Sequence, residues 1–67
     1  MKNRIRVARA EIRMTQQQLA DATGVSRQTI NAIESGKFVP STVLALKMAR
    51  TFGLHVEELF ELEDEEK

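Results

Sequence analysis

Three residues, Gly24-Val25-Ser26, separate two stretches of helical hydrophobic periodicity, and no other feature of this 67-residue chain constrains its fold as strongly. A connection that short cannot return the second helix antiparallel to the first. It leaves the two crossing steeply, as in a helix-turn-helix. The residues around the break suit that geometry. Ala20 is small enough for the helices to approach, and Gly24 can take the positive φ that the tight turn requires. Val25, Ile30 and Ile33 anchor the second helix from one side, and Ser26 caps a helix expected from about Arg27 to Ser35.

The remaining pattern is helical as well. The helix before the break, about Gln16 to Thr23, opens with a T-x-x-Q capping box at Thr15 and Gln18 and a staple of Met14 and Leu19. Ahead of it, Ile5, Ala8 and Ile12 share one face of a first helix from about Asn3 to Arg13, with Arg9 on the inner side. A fourth helix follows Pro40-Ser41 and runs to Phe52, with Leu44, Met48, Ala49 and Phe52 as its inner stripe. A short fifth helix, about Val56 to Leu62, carries Val56, Leu59 and Phe60, with His55 as a weak cap. Glycines fall only at 24, 36 and 53, where helical patterns end, and no stretch alternates as a strand would. The expected fold is therefore all-α, a compact five-helix bundle with Ile5, Ile12, Leu19, Ile30, Ile33, Met48 and Phe52 in its core. A single domain over residues 1–62 and an acidic tail over 63–67 account for the chain.

Composition excludes several functions. There is no cysteine and only one histidine, so disulfides and thiolate or multi-histidine metal sites are ruled out, and no metal or cofactor is expected. No apolar run approaches the ~20 residues a membrane span needs, and the basic N-terminus lacks the core of a signal peptide. These observations lead to an expectation of a soluble cytoplasmic protein with no membrane partner. Ser26 has no base partner in the sequence, so nothing suggests a nucleophile, an enzyme or a small-molecule substrate. The net charge of zero hides a split. Residues 1–56 hold nine Lys/Arg against three Asp/Glu, and residues 57–67 hold seven Asp/Glu against one Lys. A basic body suits an anionic partner. The acidic tail is expected to be solvated, and it would oppose non-specific binding to that partner.

A helical wheel locates the candidate surface. With Ile30 and Ile33 facing the core, Gln28, Asn31, Ala32 and Ser35 fall on the far side and Arg27 on the flank. The first turn of this helix thus presents an arginine and an amide at its positive dipole end. Arginine can bond guanine O6 and N7 in two places, and glutamine or asparagine can do so with adenine N6 and N7. A DNA major groove offers such edges.

At these residues the chain resembles a known family. TQQQLADATGVSRQTINAIESGK is similar to the helix-turn-helix of the lambda-repressor-like, Cro/C1-type (XRE) transcriptional regulators. MKNRIRVARAEIRMT resembles the first helix of that fold, and PSTVLALKMARTFGLHVEELF resembles the last two. The resemblance implies base contacts from Arg27, Gln28, Asn31 and Ala32, and phosphate contacts from Thr15, Gln16, Ser26 and Lys37. It also implies a structural ion pair between Arg9 and Glu34. Two positions depart from the family pattern. His55 replaces a better cap, and Ala32 is short where a longer reader is usual, which leaves the operator sequence open.

The expected function is a sequence-specific double-stranded DNA-binding regulator, most simply a repressor that binds a palindromic operator as a homodimer. Leu59, Phe60 and Leu62 are the candidate dimer seam, with the first helix as the second candidate. One alternative uses the same DNA surface in an antitoxin or a restriction–modification controller. Another is an adaptor that binds a protein partner.

Overall fold

The computed structural model describes residues 1–67 and contains five α-helices and one small sheet. In chain order these are β1 (Lys2–Asn3), α1 (Ile5–Glu11), α2 (Gln16–Thr23), α3 (Arg27–Glu34), α4 (Thr42–Phe52), α5 (Val56–Leu59) and β2 (Phe60–Glu61), followed by a 3₁₀ turn over Asp64–Glu66. The fold is the all-α five-helix class with a minor hairpin added. No helix is long and apolar enough to cross a membrane.

Local capping explains where most helices start. Thr15 Oγ1 accepts the Gln18 N–H at 3.0 Å and Gln18 Oε1 accepts the Thr15 N–H at 2.8 Å, so both halves of the capping box form. Ser26 and Ser41 cap α3 and α4 through the N–H groups of Thr29 and Leu44. α5 starts differently. His55 makes no side-chain cap bond, and Glu58 instead reaches back to accept the His55 N–H at 2.8 Å. Gly24 and Gly53 end α2 and α4 in the left-handed conformation, with φ of 77° and 68°.

The core gathers one stripe from every helix. Ile5, Ala8, Leu19, Ala20, Ile30, Ile33, Leu44, Met48, Ala49 and Leu59 are buried together, and Met14, Val25, Phe52, Leu54, Val56 and Phe60 pack against them. Thr23 is buried as well, and its hydroxyl is satisfied by donating to the Leu19 carbonyl at 2.8 Å.

Five expectations from sequence are corrected here. The chain is not free of strands: β1 and β2 pair antiparallel, with Lys2 opposite Glu61 and Asn3 opposite Phe60. The first helix begins at Ile5 because Asn3 is used in this sheet, and Asn3 Oδ1 accepts the Ile5 N–H at 3.2 Å. It ends at Glu11, where Arg13 turns left-handed (φ 54°) and Arg13 and Met14 N–H close back onto Ala10 and Arg9 carbonyls. Ile12 consequently leaves the helical face and is 51% exposed rather than core. The fifth helix stops at Leu59, not Leu62, because Phe60 becomes extended to join β1. Phe52 lies at the edge of the core, partly exposed.

The hairpin draws the two ends of the described chain together. The Arg4 N–H donates to the Leu59 carbonyl at 2.9 Å, and the Met1 ammonium lies 3.1 Å from Glu66 and 3.8 Å from Glu63. The Glu63 N–H also donates to Glu66, and that bond and the ammonium hold the Glu66 carboxyl below its ordinary pKa. The tail is thus a short turn tethered to the N-terminus.

Candidate nucleic-acid interface

α2 and α3 form the predicted helix-turn-helix, and α3 presents one face to solvent. Ile30 and Ile33 bury the opposite face almost completely. Arg27, Gln28 and Asn31 are exposed, and Ala32 is half-buried between them and the loop that follows. Ser26 and Lys37 are also exposed. A shallow concavity beside this face is lined by Gln28, Thr29, Ala32, Lys37 and Phe38. The sequence reading missed two members of that surface. Thr29 shares a hydrogen bond with Ser26 between their hydroxyls at 3.0 Å, and Phe38 leaves 52% of its surface exposed. An aromatic residue in the loop directly after a candidate reading helix was the available signal for Phe38.

α2 approaches the same surface with its N-terminus. Thr15 is exposed and Gln16 is half-buried. By helix geometry the first N–H groups of α2 and α3 lack intrahelical partners, so both helix starts offer donors and partial positive charge to an anion.

Behind α3 lies a polar network. Arg9 Nε donates to Glu34 Oε2 at 2.6 Å and Arg9 Nη2 to Glu34 Oε1 at 3.1 Å, a two-point pair. Arg9 Nη1 donates to the Met14 carbonyl at 2.9 Å, which ties the end of α1 to the same cluster. Arg6 stands 3.7 Å from Glu34 on the exposed side. Gln16 Nε2 donates to Glu34 Oε1 and to Asn31 Oδ1, each at 3.2 Å. The Glu34 side chain is only 1% exposed. Burial pushes its carboxyl upward, but the hydrogen bonds from Arg9 and Gln16 and the charges of Arg9 and Arg6 outweigh burial and hold it below its ordinary value. At the far end of α3, Asn3 Nδ2 donates to the Ile33 carbonyl at 2.9 Å, a link from β1 that the sequence does not reveal.

The candidate dimer seam is divided. Leu59 is fully buried in the core and has no surface for a second copy, a correction that follows from its place at the end of α5. Phe60 is half-buried and Leu62 is 51% exposed.

A bundle whose second and third helices cross at a capped, glycine-closed turn, with a polar face on the third, defines a helix-turn-helix DNA-binding protein. The chain belongs to the helix-turn-helix family of Cro/C1-type (XRE) transcriptional regulators, whose sequence model matches residues 5–59. It is 52% identical over 66 residues to an uncharacterized HTH-type transcriptional regulator of Methanocaldococcus jannaschii, covering 98% of this chain and 100% of that one. It is 45% identical over 65 residues to another from Bacillus subtilis, covering 97% and 98%. Among solved structures it is similar to the restriction-modification controller protein C.AhdI from Aeromonas hydrophila. That match has a TM-score of 0.77 and 30% identity, and covers 84% of this chain and 85% of that one.

Proposed function

We propose that this DNA-binding transcriptional regulator is a repressor that acts as a homodimer on a palindromic operator. The observation that carries the reading is the exposed Arg27, Gln28 and Asn31 face of α3, backed by an almost completely buried Ile30 and Ile33. α3 enters the major groove, where Arg27, Gln28 and Asn31 meet base edges and Ala32 meets a thymine methyl. Thr15, Ser26, Lys37 and the backbone N–H of Gln16 at the start of α2 contact phosphates on either side. Phosphate contacts supply most of the affinity, and each good base pairing adds about 1–3 kcal/mol of discrimination.

Two copies are needed because one α3 reads too few bases. Half-sites of a palindrome lie one helical turn apart, about 34 Å. The domain measures 32 × 22 × 20 Å, so adjacent copies fit one per turn. Phe60 and Leu62 are the seam proposed for that contact. Repression then follows from occupancy of promoter DNA.

The test is selection of bound sites from a randomised duplex library at near-physiological salt. The reading expects an enriched palindrome with half-sites about one turn apart. A folded protein that enriches no site would sink it. A second reading, control of a restriction–modification system, draws support from the similarity to C.AhdI. It uses the same surface and requires an adjacent methylase gene; a chromosomal neighbourhood without one argues against it.

A further inference from the structure

The amide orientations between α2 and α3 are coupled. An ionised Glu34 only accepts hydrogen bonds, so the Gln16 atom 3.2 Å from its Oε1 is the Nε2 donor. That choice turns the nitrogen end of the Gln16 amide inward. The same nitrogen lies 3.2 Å from Asn31, and the atom facing it there is the acceptor, Oδ1. Because Gln16 Nε2 sits between Asn31 and a Glu34 side chain that is 1% exposed, Asn31 Oδ1 points inward as well. Asn31 Nδ2 is left without a partner in the protein, on the exposed face of α3. One buried carboxylate thus sets the polarity of an exposed amide two hydrogen bonds away.

We propose that Asn31 reads DNA as a donor, offering Nδ2–H₂ to the major groove and selecting guanine over adenine at the base pair it meets. The inference rests on α3 entering the major groove, as proposed above. An asparagine pairs with adenine by turning both amide atoms to the base, Oδ1 accepting from N6 and Nδ2 donating to N7. An Oδ1 drawn towards Gln16 is turned away from that pairing, and adenine N6 then sets a donor against a donor. Guanine presents two adjacent acceptors, O6 and N7, to the two hydrogens of Nδ2. Gln16 is the positioning residue in this arrangement and Asn31 the one that discriminates. The Arg9 pair and Gln16 bonds keep Glu34 ionised at neutral pH, so the polarity does not reverse there.

The experiment starts from the duplex recovered by site selection. Anisotropy titrations of its single-base variants with Asn31→Ala identify the pair whose preference depends on Asn31. Guanine and adenine are then compared at that pair for the wild type, Gln16→Met and Asn31→Asp, with thermal unfolding of each protein measured alongside. The wild type should favour guanine by about three- to tenfold, the effect of one neutral hydrogen bond. Gln16→Met should lower that ratio to under about twofold while the ratios at other pairs stay unchanged, since the donor that orients Oδ1 is gone. Asn31→Asp, an acceptor only, should shift the preference to adenine or cytosine, which carry amino groups. If Gln16→Met unfolds, the wild-type ratio of guanine to adenine at that pair still decides the question. A wild-type preference for adenine at that pair, or a guanine preference that survives Gln16→Met, overturns the inference. So does a selected site in which no pair responds to Asn31→Ala. Failure to select any site overturns the DNA reading beneath it and this inference with it.

Discussion

Glu34 is the residue on which the interface turns, because its carboxylate is buried and still charged. Taking a charge out of water is unfavourable, and only the Arg9 pair, the Gln16 bond and the nearby Arg6 offset it. Removing one partner should therefore cost more than the pair contributes. Arg9→Ala is expected to lower unfolding free energy by about 3 kcal/mol, at the low end for an orphaned buried charge because Gln16 and Arg6 remain. The double change Arg9→Met with Glu34→Leu should recover most of that loss, since apolar packing replaces the ion pair without leaving a charge behind. Urea unfolding of both variants checks this, and a double variant no better than Arg9→Ala would contradict it. The same residue sets a pH dependence. Its folded pKa lies below its ordinary 4.5, so its stabilisation is fully present above that value. The stabilisation fades as pH falls through the lower folded pKa. Melting temperature should drop below pH 4.5 in the wild type, and less steeply in Glu34→Gln. On the exposed face the roles separate differently. Gln28→Ala should weaken the selected site by about 1–3 kcal/mol and random duplex hardly at all. Lys37→Ala should weaken both alike and reduce the salt slope by about one. Titrations on both duplexes at several salt concentrations distinguish these outcomes.

The turn between α2 and α3 is the element that aims the exposed face of α3, and Gly24 holds it. Its φ is 77°, yet a Cβ added there would meet nothing within 4 Å. Substitution therefore tests backbone conformation alone. Gly24→Ala should destabilise by about 1 kcal/mol, the usual disadvantage of a left-handed residue with a Cβ, and Gly24→Asn by less. Thermal unfolding measures both, and equal losses would point to another cause. This turn was legible in the sequence because everything that makes it is local: two caps, two staples and a glycine within a few residues of one another. The hairpin was not. Each of its strands is two residues long, too short to show alternation, and the pairing joins opposite ends of the chain. Ile12 shows a related failure: its spacing from Ile5 and Ala8 fits a helix, but α1 ends at Glu11 and Ile12 is already its cap, just before Arg13 turns left-handed. Within the interface, the helical wheel indicated which α3 residues face outward. The Gln16 bonds to Asn31 and Glu34 span 15 and 18 residues between two helices, and no periodicity records them.

At the scale of the whole molecule, charge and size govern how the domain meets DNA. The acidic tail folds back on the N-terminus instead of trailing into solvent, with Glu63 and Glu66 beside the Met1 ammonium. Its negative charge still opposes a basic body on the same small molecule, and truncation after Leu62 should raise affinity for random duplex at low salt. An unchanged affinity would remove the tail from the account of specificity. Size bears on the proposed dimer. A domain with a longest extent of 32 Å cannot reach two successive major grooves on one face of DNA with a single α3. Two copies joined through Phe60 and Leu62 would hold their reading helices at one fixed separation. That rigidity has a measurable consequence. Inserting about five base pairs between half-sites rotates one of them to the opposite face of the duplex. Affinity should then fall to that of a single half-site. Leu62→Glu should produce the same fall on the uninterrupted operator, by separating the copies and not by moving the DNA. Sedimentation of the free and DNA-bound protein tells the two causes apart. An operator that tolerates the insertion, bound by a protein that sediments as a monomer, would show that each domain reads its half-site alone.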